Sequence, residues 1–185
     1  MILHTIGHST RTEEEFVGLL HSWEINVLID VRGKWPYSRH NPQHNQDNMR
    51  EWLAEASVEY LHMPKLGGWQ PKQPVDPAVN GGWRHQGMHN YADYTLTPAF
   101  EEGVGDLLEM ANRDNVAYMC AEAVPWRCHR LLLSNELVSR GYEVRHIMTN
   151  TQVIVHELGK WGARPVMDYE RLQLVYPKEA QDAEV

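Results

Sequence analysis

The sequence predicts a three-layer α/β fold, a single domain with a mostly parallel sheet flanked by helices. Three observations carry that expectation. Short apolar runs alternate with segments of helical period, the alternation keeps a βαβα order along the chain, and the run "INVLIDVR" at 25–32 is nearly continuously apolar, as a strand covered on both faces should be.

Each element has its own justification. "MILHTIGH" suits an opening strand, and Thr12 with Glu15 three residues later makes a capping box before a helix bearing Phe16, Leu19, Leu20 and Trp23 on one face. After the second strand, "KWPYSRHNPQHN" reads as loop. A helix near 46–56 then places Met49, Trp52, Leu53 and Ala56 on one stripe, and "VEYLHM" is a third strand. Residues 64–97 are rich in Gly, Pro, Trp and Asn and show no clear period, so they read as a long loop and a candidate lid. Thr97-Pro98 is an N-cap followed by Pro at the first helical position, and Phe100, Val104, Leu107, Leu108 and Ala111 form that helix's apolar face. "NVAYMCAE" is another central strand. "CHRLLLSNELVSRG" is a helix closed by Gly141, and "YEVRHIM" is a further strand. The domain is expected to end near residue 158, after the short apolar run "VIVHEL"; 159–185 is a C-terminal extension whose acidic end, "KEAQDAEV", is expected to fray.

Composition narrows the function. The 185 residues are 42% hydrophobic and 23% charged, ordinary values for one globular domain. A net charge of −8 opposes non-specific binding to a nucleic-acid backbone. The N-terminus does not read as a signal peptide, and no stretch of about 18 apolar residues suggests a membrane span, so a cytoplasmic location is expected. Two cysteines in a reducing compartment are buried thiols or site residues rather than a disulfide framework.

In open parallel sheets, ligands bind beyond the carboxyl ends of the strands. That edge should gather His8 and Ser9, Asp30 and Arg32, His62 and Pro64, Cys120 and Glu122, and His146. The densest stretch is "YMCAEAVPWRCHR" at 118–130, which holds both cysteines.

The segments "TIGHST", "LIDVRGKWPYS", "VEYLHMPKLGG", "YMCAEAVPWRCHR" and "GYEVRHI" resemble, in order and spacing, the domain of unknown function family 488 over roughly residues 3–156. That resemblance implies a compact α/β fold and a shared set of polar positions: His8, Ser9, Asp30, Arg32, Pro36, Ser38, Gly67, Gly68, Cys120, Glu122, Cys128, His129, Arg130 and His146. It implies no reaction. Trp35 departs from the family pattern, which brings the proline closer to the arginine.

Several chemistries fit these residues. Cys128 would sit at a helix N-terminus beside Arg127, His129 and Arg130, where a thiolate is favoured. The phosphatase loop of Cys, five residues and Arg does not fit, since six residues separate Cys120 from Arg127. Cys120, Cys128, His129 and His8 would make a zinc set, and Glu122 with His8 and His146 a harder metal site. The absence of short-spaced ligand pairs argues against a metal. Arg32 and Arg130, with Ser9 and the N–H groups of a helix N-terminus, would hold an anion, or Asp30 and Glu122 would simply neutralise the two arginines. Trp35, Tyr37, Trp69, Trp83, Tyr91, Tyr94 and Trp126 either stack on a planar ligand or pack their loops onto the body.

The reading adopted is an enzyme, a hydrolase or transferase, that binds a phosphorylated or nucleotide-like ligand. His8, Glu122 and Cys128 would serve catalysis, and Ser9, Asp30, Arg32, Ser38, His129 and Arg130 would surround the ligand. The alternatives are a thiol or redox protein using Cys120 and Cys128, and a non-catalytic module that binds a ligand or partner.

Overall fold

Six strands form the main sheet: β1 (Ile2–Gly7), β2 (Val27–Asp30), β3 (Glu59–His62), β4 (Val116–Cys120), β5 (Glu143–Ile147) and β6 (Val153–Val155). They belong to a computed structural model in which residues 1–179 are described. The order across the sheet is β3-β2-β4-β1-β5-β6, and every neighbouring pair is parallel except β5 with β6. The mostly parallel α/β sheet expected from the sequence is therefore present.

The helices cover both faces of this sheet. β4 lies between β2 and β1, and its alternate side chains enter opposite cores. Ala117 and Met119 pack with Phe16, Leu19 and Leu20 of α1 (Glu13–Ser22) and with Met49, Trp52 and Leu53 of α2 (Gln46–Glu55). On the other face, Tyr118 joins Tyr91 of α3 (Gln86–Tyr94), Phe100, Val104 and Leu107 of α4 (Pro98–Ala111), and Leu131 and Leu132 of α5 (Arg130–Ser139). Burying each of the Val, Leu, Met and Phe side chains among these contributes about 1.5–3 kcal/mol before chain entropy is charged against it.

Local signals in the sequence act as expected. Both arms of the Thr12–Glu15 capping box form at α1, and the Thr97 hydroxyl accepts from the Phe100 N–H above Pro98, the first residue of α4. Gly141, just beyond α5, has φ +87°, a conformation in which a Cβ is strained.

Two elements differ from expectation. Within 64–97, which reads as loop, the chain forms α3. Its sequence "QGMHNYADY" has weak helical propensity, and burial of Tyr91, Ala92 and Tyr94 supplies the stability that propensity lacks. The extension after 158, in which the sequence predicts no strand, contains a hairpin, β7 (Val166–Asp168) with β8 (Gln173–Val175). This hairpin delivers Tyr176 into the core, and the two unexpected parts are tied together there. Asn80 accepts from the Tyr176 N–H at 2.9 Å and donates to Asp93 of α3 at 2.8 Å. The expected frayed end at 180–185 lies outside the described residues. No helix among the described residues is long and apolar enough to cross a membrane.

Candidate functional site

Parallel pairing sets the carboxyl ends of β1, β2, β3 and β4 side by side. Past those ends, the backbone of His8 donates to the Cys120 carbonyl at 2.9 Å and that of Ser9 to Ala121 at 2.9 Å. The segment after β4 therefore lies directly over Gly7. A Cβ there would come 1.8 Å from the Glu122 carbonyl oxygen, so the glycine of "TIGHST" is required by backbone contact.

That segment turns through a 3-10 turn at Pro125–Arg127 and enters α5, which brings its two cysteines together. Cys120 and Cys128 are free thiols with their Sγ atoms 2.8 Å apart. Arg130 holds both from one side. Its Nε donates to Cys120 Sγ at 3.0 Å and its backbone N–H to Cys128 Sγ at 3.3 Å, while the Glu122 N–H donates to Cys120 Sγ at 3.3 Å. The rest of the guanidinium is engaged by Thr5 Oγ1 at 2.8 Å and the Glu122 carbonyl at 2.5 Å. Arg130 is only 1% exposed, a buried cation compensated by sulfur.

The two thiols are polarised in opposite directions. Burial pushes Cys120 well above the usual thiol range, and its hydrogen bond to Cys128 adds to that, so it keeps its proton. Burial also pushes Cys128 up. The hydrogen bond from Cys120, with the charge and N–H donors of Arg130, together outweigh burial and bring Cys128 down to about 6. Cys128 is thus the more acidic of the pair and accepts the Cys120 S–H.

His129 is oriented toward this pair. Its Nε2 lies 2.8 Å from the Val31 carbonyl, which can only accept, so Nε2 carries the hydrogen. Burial lowers its pKa and keeps it neutral, leaving the Nδ1 lone pair 3.6 Å from Cys128 Sγ. A Cβ on Gly68 would lie 2.2 Å from that nitrogen, which explains one glycine of "LGGW".

Arg32 belongs to a separate network. Its Nε and Nη2 grip the Asp30 carboxylate at 2.6–3.0 Å, and Nη1 donates to the His44 carbonyl at 2.8 Å. Tyr60 donates to the same carboxylate at 2.5 Å. His8 is buried at the edge of this network, its Nδ1–H directed to the Ser9 carbonyl at 2.8 Å and its ring stacked on His44 at 4.3 Å. Burial, with the nearby His44 and Arg32 charges, brings His8 down to about 4, so it is neutral at pH 7. Ser9 takes φ +51° at the turn after β1. Ser38 accepts from the Asn41 N–H at 3.0 Å in the loop before α2.

A cleft of about 650 Å³ opens over the thiols. Cys120, Cys128 and His129 line it, together with Glu122, Arg127, Gly68, Lys34, Trp35, Tyr37 and Trp69. Of the residues expected at the site, Glu122, Cys128, His129 and Arg32 line the cleft. His8, Ser9, Asp30 and Ser38 do not, and Arg130 lies beneath the thiols. His146 is drawn away from the edge, 2.9 Å from His156, and Trp161 packs on both rings. The aromatic residues divide: Tyr91, Tyr94 and Trp83 pack into the body, whereas Trp35, Tyr37 and Trp69 remain exposed. Sequence reasoning missed Thr5 and Tyr60, whose partners come from distant strands and helices, and Lys34, whose only signal was its place beside "VRG".

Among the described residues, no group of three or more His, Cys, Asp or Glu side chains is arranged to hold a metal ion. The family model described as "Domain of unknown function DUF488" matches residues 12–137, more than half of the chain. The strand bearing "TIGHST" and the segment "GYEVRHI" fall outside that match. No curated protein and no solved structure matches the chain.

Proposed function

The chain belongs to the DUF488 family, and from the geometry of its site we propose that it is a cysteine-dependent enzyme. Cys128 is the nucleophile and Cys120 the second thiol. The observation that carries this reading is the sulfur pair itself: two free thiols 2.8 Å apart at the floor of a cleft, with a buried arginine compensating one negative charge between them.

The chemistry follows from that arrangement. The Cys128 thiolate attacks an electrophilic sulfur of a substrate R–S–X, forming the Cys128–S–S–R bond and releasing X⁻, which takes a proton from solvent. Cys120 then gives up its proton, attacks Cys128 Sγ and expels RS⁻. Only about 0.8 Å of approach separates the sulfurs from bonding distance. The substrate sulfur gains two electrons and the thiol pair loses two. An external thiol reductant restores the pair. His129 Nδ1 lies 3.6 Å from Cys128 Sγ and is the base assigned to the proton released by the pair, and Arg130, whose Nε donates to Cys120 Sγ at 3.0 Å, stabilises the charge on that sulfur as it attacks.

This reading is favoured over an anion clamped by Arg32 and Arg130, because both guanidiniums are spent on Asp30, His44, Thr5, Glu122 and sulfur. Alkylation with iodoacetamide, mapped by mass spectrometry across pH 4–9, tests it. Cys128 should react first, with a rate that rises through a midpoint near pH 6 and disappears in Cys128→Ser. Ordinary thiol reactivity rising only above pH 8, or no reaction until the protein is denatured, would refute it.

A further inference from the structure

The sulfur chemistry leaves the exposed aromatic side chains of the cleft without a role. Trp35, Tyr37 and Trp69 are 80%, 72% and 93% exposed, and all three line the same cleft as Cys128. Large aromatic side chains are normally at least half-buried, and three gathered at one opening form a stacking surface without a partner. Two cations stand with them. Lys34 lies 5.8 Å above the Trp35 ring, and Arg127 lines the same cleft. Neither forms an ion pair with a described residue. The third arginine of the cleft, Arg32, is neutralised by Asp30, and Glu122 is the acidic side chain among those lining it.

We infer that this cleft binds a nucleoside phosphate, whose base stacks on Trp69, the most exposed of the three rings, and whose phosphate meets Lys34 and Arg127. The inference rests on reading the cleft as the active site, and it places the electrophilic sulfur on a molecule that carries such a group. Planar π-faces match the aromatic side chains, and phosphate oxygens match the unpaired cations. A volume of about 650 Å³ is within the range of small-molecule sites. The net charge of −8 opposes a long polyanion, which would extend beyond the two cations onto an acidic surface.

Isothermal titration calorimetry of the full chain tests this with AMP, ADP, adenosine, inorganic phosphate and a dT16 oligonucleotide, each at two salt concentrations. AMP or ADP should bind at least tenfold more tightly than adenosine or phosphate alone. Trp69→Ala and the double variant Lys34→Ala, Arg127→Ala should each weaken that binding fivefold or more. Both sites are exposed, so these variants should fold, and unchanged circular dichroism and melting temperature would verify it. Absence of nucleotide binding, affinity unchanged by Trp69→Ala, or tighter, steeply salt-dependent binding of dT16 would each overturn the inference. Binding is also measured in Cys128→Ser, which separates the two ideas. Nucleotide binding with an unreactive thiol would refute the sulfur chemistry and keep this site, and a reactive Cys128 with no nucleotide binding would do the reverse.

Discussion

Cys128 owes its acidity to a neighbour as much as to Arg130. The Cys120 S–H donates to it, so removing that donor should restore a more ordinary thiol. In Cys120→Ala, the alkylation midpoint of Cys128 should rise by a pH unit or more from about 6, as read from the pH–rate profile. Gly68 acts on the same centre through space. A methyl group there would lie 2.2 Å from His129 Nδ1 and must push the ring off the Val31 carbonyl. Gly68→Ala should therefore slow closure of the Cys120–Cys128 bond by tenfold or more under a thiol oxidant while leaving the melting temperature within a few degrees. An unchanged rate would remove His129 from the proton path. At this scale the sequence was only partly legible. It marked Cys128, His129, Glu122 and Arg130 as one cluster, but side-chain direction decides that Arg130 faces sulfur while Arg32 faces Asp30.

The turn between β4 and α5 carries Cys128 and has little regular structure of its own. Its support comes from outside the matched family region: Trp126 packs on Trp161 with ring centroids 5.1 Å apart, and Trp161 rests on His146 and His156. Trp161→Ala should leave the sheet intact but loosen this turn. The expected result is faster amide hydrogen exchange at 122–129 and a higher Cys128 midpoint, with exchange in β1 and β4 unchanged. Equal protection of the turn in both proteins would show that Trp161 does not support it. Elements with local signals, such as α1 with its capping box and α4 with Thr97 and Pro98, were legible because those signals lie within a few residues. α3 was not, because its Gly, His and Asn residues oppose a helix and only burial of Tyr91 and Tyr94 overrides them.

Over the whole molecule, buried neutral histidines set the response to acid. Burial brings His8 and His156 down to about 4 and His146 to about 2, whereas in the unfolded chain each titrates near 6.5. Below pH 6.5 the unfolded chain takes up protons that the folded chain refuses. Their contribution to stability is complete above pH 6.5 and falls as the pH drops toward 4. Urea unfolding should therefore show a loss on the order of a few kcal/mol between pH 7 and pH 5, and a substantial part of that loss should vanish in His8→Gln. Cys128 acts in a second window. Its folded pKa near 6 lies below the unfolded value of 9.0, so its contribution grows from pH 6 to 9 and is lost as the pH falls through 6. A flat stability profile from pH 5 to 8 would contradict both assignments.

By itself the amino-acid sequence determined the alternation of strands and helices, the caps of α1 and α4, the stop at Gly141 and the edge of the sheet where polar residues gather. These are encoded by residues within a few positions of one another, through hydrogen bonds and apolar periods that exist before any distant contact forms. Only the tertiary structure decided that Cys120 and Cys128 meet, that one arginine compensates them while the other is neutralised, and that three aromatic side chains stay in solvent. Those outcomes depend on which groups distant segments bring within 3–4 Å. At that range burial and charge set protonation, and spacing along the chain carries no information about it.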